Sequence, residues 1–220
     1  MPGGIGIFGG TFDPVHLGHL RAAEDVRETL VLDEMRFVPA AVPPHKGPPA
    51  ASGSERLRML ALATAGIPGF RPWSVELDRT GPSYSVDTLR ALRAEVGAGV
   101  RLVFVVGRDA FAELHTWRDY ATIFTLCDVA VMTRPPFAAA LTLEDFPVAL
   151  RRAFGYDPRS GSYHHESGNR VIPVSVVSLD ISATDIRSRL ATGRSVRFLV
   201  PSAVQAHIES TGLYRSAGRT

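Results

Sequence analysis

Short apolar runs alternate with segments of helical periodicity along most of this chain, and this alternation constrains the fold more than any other feature. The runs at residues 5–8, 35–39 and 101–106 are nearly continuous rather than alternately polar and apolar. Strands buried on both faces have this pattern, and neighbouring parallel strands need a crossover between them, usually a helix. The sequence therefore predicts an α/β fold, a Rossmann-like parallel sheet with helices on both faces.

Local patterns predict the individual helices and strands. Helices are predicted at residues 17–30, 55–65 (with Ser54 as N-cap), 85–96, 110–114, 120–125, 182–192 and 201–211, and further strands at 70–77, 129–133 and 171–179. Residues 137–170 are the hardest to interpret, and we predict a possible helix at 144–154 and a surface loop at 156–169. We expect one domain over residues 1–220, in which a C-terminal helical part, about 181–220, completes the ligand site.

Composition and charge narrow the class of protein. The chain has 220 residues, of which 45% are hydrophobic and 21% charged, as in ordinary globular proteins. The net charge is +2 and no basic run occurs, so nucleic acid is not a predicted partner. No apolar run approaches the roughly 20 residues of a membrane span, and no secretory leader is evident, so we expect a cytoplasmic enzyme. The single cysteine, Cys127, is predicted to be a buried thiol.

The segment from Gly9 to His19 joins the first predicted strand to the first predicted helix and is rich in glycine and histidine. At such junctions, backbone N–H groups and the positive end of a helix dipole bind phosphate. Gly9 and Gly10 would let a ligand approach the backbone, and His16 and His19 share the spacing of one helix face. Gly18 costs about 1 kcal/mol relative to alanine in a helix, which suggests a close approach there.

A dinucleotide-binding pattern, G-x-G-x-x-G, is present at residues 4–9. In redox enzymes that pattern follows a strand, opens a helix and precedes an acidic residue at the end of the second strand. Here it overlaps the first strand, and the acidic residues at the expected offset, Glu24 and Asp25, lie in a predicted helix. We therefore do not predict a redox enzyme.

A second candidate phosphate site opens the predicted helix at residues 182–192. Ser182 and Asp185 match a capping box, which is a sufficient structural explanation for those two residues. The capping box does not explain Thr184 and Arg187, which add a hydroxyl and a guanidinium to a helix N-terminus. Such a combination favours phosphate.

Three further segments are candidate binding elements: the loop at residues 43–49, the turn at residues 81–89 that runs into a predicted helix, and residues 107–109. Prolines on both sides of His45 and Lys46 stiffen a loop that holds these side chains outward, although an exposed loop without ligand is also compatible with the pattern. Gly107 and Asp109 follow the strongest predicted strand, and ligands of open α/β sheets bind at such carboxyl ends. Trp117 lies nearby, and its ring could stack on a planar ligand or simply pack.

Together these motifs resemble a known family. Gly-Gly-Thr-Phe-Asp-Pro-Val-His-Leu-Gly-His at 9–19 and Ile-Ser-Ala-Thr-Asp-Ile-Arg at 181–187 are similar to the two phosphate motifs of His-x-Gly-His nucleotidyltransferases. Pro-Pro-His-Lys, Gly-Pro-Ser-Tyr-Ser-Val-Asp-Thr-Leu, Val-Gly-Arg-Asp with Trp117, and the ending Phe-Leu-Val-Pro…Gly-Leu-Tyr resemble the bacterial nicotinate-nucleotide adenylyltransferases. That family usually has threonine at the position of Ser85, and serine keeps the hydroxyl.

The resemblance implies adenylyl transfer from ATP to nicotinate mononucleotide in NAD biosynthesis, with Mg²⁺ arriving on the ATP phosphates rather than on protein ligands. His16, His19 and Arg187 are the implied catalytic residues. The implied ATP-binding residues are Gly9, Gly10, Thr11, Phe12, His16, Gly18, His19, Gly107, Asp109, Ser182, Thr184 and Arg187. The implied acceptor-binding residues are His45, Lys46, Tyr84, Ser85, Trp117 and Arg134.

Other functions stay open at this point. A sister enzyme would use another phosphorylated acceptor, such as nicotinamide mononucleotide or phosphopantetheine, or would make a CDP-alcohol. A protein of a different class would sense a nucleotide without turning it over. The presence of His16, His19 and Arg187 argues against such a sensor, because a sensor could lose these residues. The sequence is compatible with a monomer and with a homo-oligomer.

Overall fold

The computed structural model describes residues 3–42, 47–133 and 141–215. The strands are β1 (Ile5–Gly10), β2 (Glu34–Pro39), β3 (Phe70–Pro72), β4 (Leu102–Gly107), β5 (Asp128–Thr133), β6 (Phe154–Asp157), β7 (Ser162–His165) and β8 (Arg170–Ser175). The helices are α1 (Leu17–Leu30), α2 (Gly53–Thr64), α3 (Ser85–Val96), α4 (Arg108–Ala112), α5 (Tyr120–Leu126), α6 (Ala183–Ala191) and α7 (Ser202–Thr211). None of the helices in these ranges is long and apolar enough to cross a membrane.

The strands form one sheet in the order β3-β2-β1-β4-β5-β8-β7-β6. The pairs from β3 through β8 are parallel, as predicted. The β6–β7 hairpin adds two antiparallel strands at the β8 edge, which the prediction of a purely parallel sheet missed. After β1 the chain moves outward to β2, whereas β4 continues in the opposite direction to β5. The carboxyl ends of β1 and β4 therefore flank the switch point at which open α/β sheets bind ligands.

Helices cover both faces of the sheet, in agreement with the predicted fold class. Along β1, Phe8 belongs to a core that includes buried residues of α1, α2, α6 and α7. Its neighbour Ile7 belongs to the opposite core, which includes residues of α3, α4 and α5. Successive strand side chains point to opposite faces, so each parallel strand contributes to both cores. Cys127 is buried in the second core, as predicted.

The predicted helix at 144–154 is wrong. The structure has two single 3₁₀ turns there, Leu143–Asp145 and Arg151–Ala153. Pro147 lies between them, and a proline inside an α-helix removes a hydrogen-bond donor and clashes with the preceding turn. Phe146 and Leu150 are nevertheless buried, because they pack into the second core.

The predicted surface loop at 156–169 is also wrong, because it contains most of the β6–β7 hairpin. Tyr156 pairs with Tyr163 across this hairpin. Between the strands, Asp157 accepts a hydrogen bond from the Arg159 amide, and Gly161 has a left-handed φ of 63°. Aspartate, proline and glycine at such positions are ordinary turn signals, which the prediction did not use.

Two smaller predictions need correction. Helix α2 begins earlier than predicted, and its N-cap is Ser52 rather than Ser54; the Ser52 hydroxyl accepts a hydrogen bond of 3.2 Å from the Glu55 amide. The strands predicted at 70–77 and 171–179 end early, at Pro72 and Ser175. The chain turns at Ser74 after the first, and after the second it leaves the sheet toward the larger cavity described below.

Candidate functional site

The larger of two cavities at the carboxyl edge of the sheet has a volume of about 690 Å³. It brings the 9–19 junction together with the start of α6, two segments that are far apart in the sequence. Its lining includes Gly9, Gly10, Thr11, Phe12, Asp13, His16, Gly18, His19, Gly107, Ser182, Thr184 and Arg187. The two candidate phosphate motifs therefore form one site.

His16 and His19 face one another at the beginning of α1. His16 is the N-cap residue and is buried, whereas His19 lies in the first turn. Their rings stack with centroids 3.6 Å apart and an interplanar angle of 28°. The His16 amide donates to His19 Nδ1 at 3.3 Å, and Phe12 packs edge-on against the His19 ring at 5.0 Å. The predicted pairing of the two imidazoles is therefore present.

Gly18 is limited by its surroundings. A Cβ at this position would lie 3.1 Å from His16 Nδ1 and 3.2 Å from its Cε1. Such contacts are tight, so a larger residue would push against the His16 ring. The close approach that the glycine suggested is therefore made by this imidazole.

The N-terminus of α6 opens onto the same cavity. Ser182 caps the helix by accepting a 3.1 Å hydrogen bond from the Asp185 amide and also lines the cavity. The Asp185 carboxylate accepts from Arg189 at 2.6 Å, so only the Ser182 half of the predicted capping box is present. Arg187 donates to the backbone oxygen of Asp13 at 2.7 Å and lies 3.3 Å from the Thr184 hydroxyl. These contacts place a guanidinium beside the histidine junction, in a cavity that also receives the positive ends of two helices.

The group that holds this junction in place has no recognisable signal in the sequence. The buried Asp13 carboxylate accepts hydrogen bonds from the amides of Ala50 and Ala51 and from the hydroxyl of Tyr214. Spacing along the chain gives no sign that these partners, at residues 50, 51 and 214, converge on Asp13.

A buried arginine, which the sequence also did not predict as part of the site, binds the backbone of the strand-to-helix segment. Arg56 of α2 donates to the backbone oxygens of Thr11, at 2.8 Å, and of Ala51, at 3.3 Å. Burial lowers the pKa of its guanidinium, and the nearby Asp13 carboxylate opposes that shift. Two buried charges of opposite sign thus fix the backbone that carries the phosphate motif.

A smaller cavity of about 220 Å³ lies beside the first. Ser85, the first residue of α3, and Trp117 line it, as the resemblance implies. The Trp117 ring packs edge-on against Phe104 with centroids 6.2 Å apart. Ser85 and Trp117 are both half-buried, so each keeps an accessible face at the cavity.

Two lining residues of the smaller cavity, Ser83 and Glu76, were missed. The Ser83 hydroxyl accepts a hydrogen bond of 2.9 Å from the Ala41 amide. Glu76 is buried and accepts a 2.6 Å hydrogen bond from the Thr88 hydroxyl, which also lies 2.6 Å from the Arg79 guanidinium. Both belong to the turn that leads into α3, and a buried carboxylate in a turn segment carries no periodic signal.

The two cavities share a wall at the switch point. Gly9, Gly10, Thr11 and Gly107 line both of them. A Cβ at Gly9 or Gly107 would meet nothing within 4 Å, so these glycines leave open space between the cavities. Ligands in the two cavities would meet along this glycine edge.

The structure does not bring every predicted residue to a cavity. Asp109 is exposed on α4 and is absent from both linings, whereas Gly107 and Ala110 on either side of it line the smaller cavity. Tyr84 is the N-cap of α3 and lines neither cavity. Its ring is covered by the Arg118 guanidinium, which lies 4.7 Å from the ring centroid. His45, Lys46 and Arg134 lie outside the described residues, and their roles stay predictions, as does that of Asp109.

Comparison with known proteins agrees with this geometry. Residues 7–189 match the model of the cytidylyltransferase-like family. The chain is 44% identical over 214 residues to "Probable nicotinate-nucleotide adenylyltransferase" of Geobacter sp. (strain M21), covering 97% of this chain and 99% of that protein. A protein of the same name from Pseudomonas fluorescens is 43% identical over 213 residues, or 96% of this chain and 97% of that protein.

Solved structures have the same fold. A Plasmodium falciparum nicotinic acid mononucleotide adenylyltransferase complexed with NaAD superposes with a TM-score of 0.70 at 15% identity, covering 96% of this chain and 97% of that one. The same Plasmodium falciparum enzyme complexed with APC gives a TM-score of 0.67 at 15% identity and 96% coverage of both chains. With its motifs, geometry and near full-length similarity taken together, this chain belongs to the nicotinate-nucleotide adenylyltransferases of the cytidylyltransferase-like family.

Proposed function

We propose that this nucleotidyltransferase moves the adenylyl group of ATP to nicotinate mononucleotide, giving nicotinate adenine dinucleotide and pyrophosphate in NAD biosynthesis. The observation that carries the proposal is the glycine edge shared by the two cavities. ATP would occupy the larger cavity, whose volume of about 690 Å³ suits a small-molecule ligand. The acceptor ring would occupy the smaller cavity, so that the two reacting phosphates meet along the edge.

The larger cavity supplies positive charge for a triphosphate. His16 and His19 lie at the start of α1, and Arg187 extends from α6 beside Ser182 and Thr184. We assign the two imidazoles to the α-phosphate region, with His19 nearest the transferred group, and Arg187 with the α6 N-terminus to the β- and γ-phosphates. Donors held in place before the reaction stabilise charge that develops in the transition state.

The chemistry needs positioning more than proton transfer. A phosphate oxygen of nicotinate mononucleotide would attack the α-phosphorus of ATP, while the bond from that phosphorus to the bridging oxygen of pyrophosphate breaks and its electron pair leaves with pyrophosphate. The attacking phosphate is largely ionised near pH 7, since its second pKa is about 6. It therefore needs no general base, and alignment with charge stabilisation accounts for the rate.

The smaller cavity suits the acceptor. Trp117 offers a half-buried aromatic face for a pyridine ring, and Ser85 presents a hydroxyl at the N-terminus of α3. The described residues flanking His45 and Lys46 support the assignment of those two side chains to the acceptor phosphate. Ala40, before these two residues, lines the smaller cavity, and Gly47, directly after them, lines the larger one.

Mg²⁺ is proposed to enter with ATP. Among the described residues that line the larger cavity, the one carboxylate is Asp13, and its oxygens already accept three hydrogen bonds. The donor set therefore suits an ion held mainly by phosphate oxygens and water, as is usual for Mg²⁺ on nucleotides.

We also propose that the enzyme works in the cytoplasm.

A substrate panel tests the proposed function. Purified protein is incubated with ATP, Mg²⁺ and one acceptor at a time: nicotinate mononucleotide, nicotinamide mononucleotide or phosphopantetheine. Pyrophosphate release and the dinucleotide product are both measured. We expect the largest kcat/KM with nicotinate mononucleotide and no release without an acceptor. Absence of product with nicotinate mononucleotide would remove the proposal, and release with phosphopantetheine alone would replace it with the sister activity.

A further inference from the structure

The end of the described chain contacts the phosphate junction at its beginning. The Tyr214 hydroxyl donates to Asp13 Oδ1 at 2.7 Å, across a sequence separation of 201 residues. The same carboxylate accepts from the Ala50 amide at 2.7 Å and the Ala51 amide at 3.1 Å. Asp13 is only 4% exposed, so these bonds replace water around a buried charge. The carboxylate thus joins three separate segments of the chain.

Tyr214 has a backbone conformation that is unusual for an aromatic residue. Its φ is 64°, two residues after Gly212 ends α7 with a φ of 71°. Bulky side chains rarely adopt this left-handed region, and they remain there only where surrounding contacts hold them. Those contacts are packing against the first core and the hydrogen bond to Asp13.

Asp13 also determines where Arg187 lies. Its backbone oxygen accepts a 2.7 Å hydrogen bond from Arg187 Nη1, and its Oδ2 lies 4.0 Å from the same nitrogen. The guanidinium therefore follows any movement of Asp13. Since Tyr214 and the two alanine amides restrain the carboxylate, they restrain the guanidinium as well.

We propose that Tyr214 is a positioning residue for ATP, acting through Asp13 on Arg187. The inference rests on the proposed function, because it assumes that Arg187 holds ATP phosphates. The Gly-Leu-Tyr ending would then be a part of the nucleotide site that touches no nucleotide. Burial, together with the hydrogen bond to Asp13, raises the pKa of Tyr214, which keeps the hydroxyl a donor over the range of ordinary assays.

The test is a double-mutant cycle read out by ATP binding. The dissociation constant for ATP with Mg²⁺ is measured by calorimetry for the unmodified chain, Tyr214→Phe, Arg187→Ala and the double variant. We expect Tyr214→Phe to weaken ATP binding about tenfold, the scale of one hydrogen bond to a charged group. In the Arg187→Ala background the same change should matter less than about twofold, because coupled residues do not act additively.

Two control variants separate positioning from general loosening of α7. His207→Ala removes the 2.6 Å contact between α7 and Glu55 of α2 but leaves Asp13 untouched, and Tyr156→Phe removes a hydroxyl on the distant hairpin. Both should bind ATP within about twofold of the unmodified chain, and KM for the acceptor should stay constant in Tyr214→Phe.

The inference is overturned if Tyr214→Phe binds ATP normally or if His207→Ala weakens ATP binding equally. It is also overturned if Tyr214→Phe raises the dissociation constant by the same factor with and without Arg187→Ala. A chain that binds ATP with the expected cycle but forms no dinucleotide would contradict the proposed function and leave the role of Tyr214 intact.

Discussion

His16 and His19 face one another because the first precedes α1 and the second lies in its first turn. His16 has an extended backbone, with φ −142° and ψ 169°, and its ring lies over the first turn of α1, stacked on the His19 ring. Stacking at 3.6 Å then presents two imidazoles to the larger cavity as a unit. At the residue scale, this pair is the part of the site from which we expect the greatest effect on turnover.

Removing His19 should separate catalysis from binding. His19→Ala should lower kcat by about 10²–10³-fold, the usual effect of losing one transition-state donor. The dissociation constant for ATP should change by less than about fivefold, because Arg187 and the α6 N-terminus still hold the phosphates. Pyrophosphate release and calorimetry measure the two quantities. His164→Ala, on the exposed hairpin, is the control, and near-normal kcat in His19→Ala would contradict the assigned role.

Cys127 should be unreactive in the native protein. Its thiol is buried and lies 3.5 Å from the Ile123 carbonyl oxygen, and burial raises its pKa from 9.0 to about 12. Because burial disfavours the thiolate, the contribution of this group to the free energy of unfolding is fully present below pH 9.0 and is lost as pH rises through about 12. Ellman's reagent at pH 8 should detect no thiol until denaturant is added. Rapid labelling of the native protein would contradict this burial.

At the scale of elements, the hairpin shows what local patterns missed. Strands β1 and β4 were predictable because they are buried on both faces and read as apolar runs. Strand β6 is at the edge of the sheet and pairs on one side, so its exposed residues hide the pattern. The segment before it packs Phe146 and Leu150 inward without regular structure, because Pro147 prevents a helix.

Truncating Phe146 should destabilise the fold without affecting ligands. Its ring contacts Phe111, Phe154 and Tyr163 with centroid distances of 4.9, 5.3 and 4.7 Å, and it is 1% exposed. Phe146→Ala should lower the free energy of unfolding in urea by about 3–5 kcal/mol.

The neighbouring Val148→Ala is the matched control for that loss. Val148 is 77% exposed, so its truncation should cost less than about 0.5 kcal/mol. ATP binding should be unchanged in both variants, because neither residue lines a cavity. Equal unfolding midpoints for the two variants would show that the ring cluster is not part of the core.

At the scale of the whole molecule, the site exists because the strand order reverses at the neighbouring parallel strands β1 and β4, which leaves a crevice at their carboxyl ends. The sequence was sufficient to predict both phosphate motifs, since each leads into the start of a helix. The resemblance, rather than local pattern, pointed to Ser85 and Trp117. The sequence was not sufficient to predict Asp13 with Tyr214, or Glu76 with Thr88. The first pair joins segments far apart in the chain and the second joins a turn to α3, and neither contact leaves a periodic pattern.

Separate cavities predict separable binding. Trp117→Ala should raise KM for nicotinate mononucleotide at least about tenfold by removing an aromatic face, and Trp117→Phe should recover part of the loss. ATP affinity should stay within about twofold in both variants. Trp73→Phe, outside both linings, is the control. An equal loss of ATP affinity in Trp117→Ala would mean that the two cavities do not bind separate substrates.

The central claim is that the adenylyl group crosses the glycine edge from one cavity to the other. The most direct measurement follows the phosphorus atoms, with ATP radiolabelled at either the α- or the γ-position and nicotinate mononucleotide as acceptor. We predict that α-label appears in the dinucleotide and γ-label in pyrophosphate. Transfer of γ-label to the acceptor, or label in neither product, would contradict adenylyl transfer at this edge.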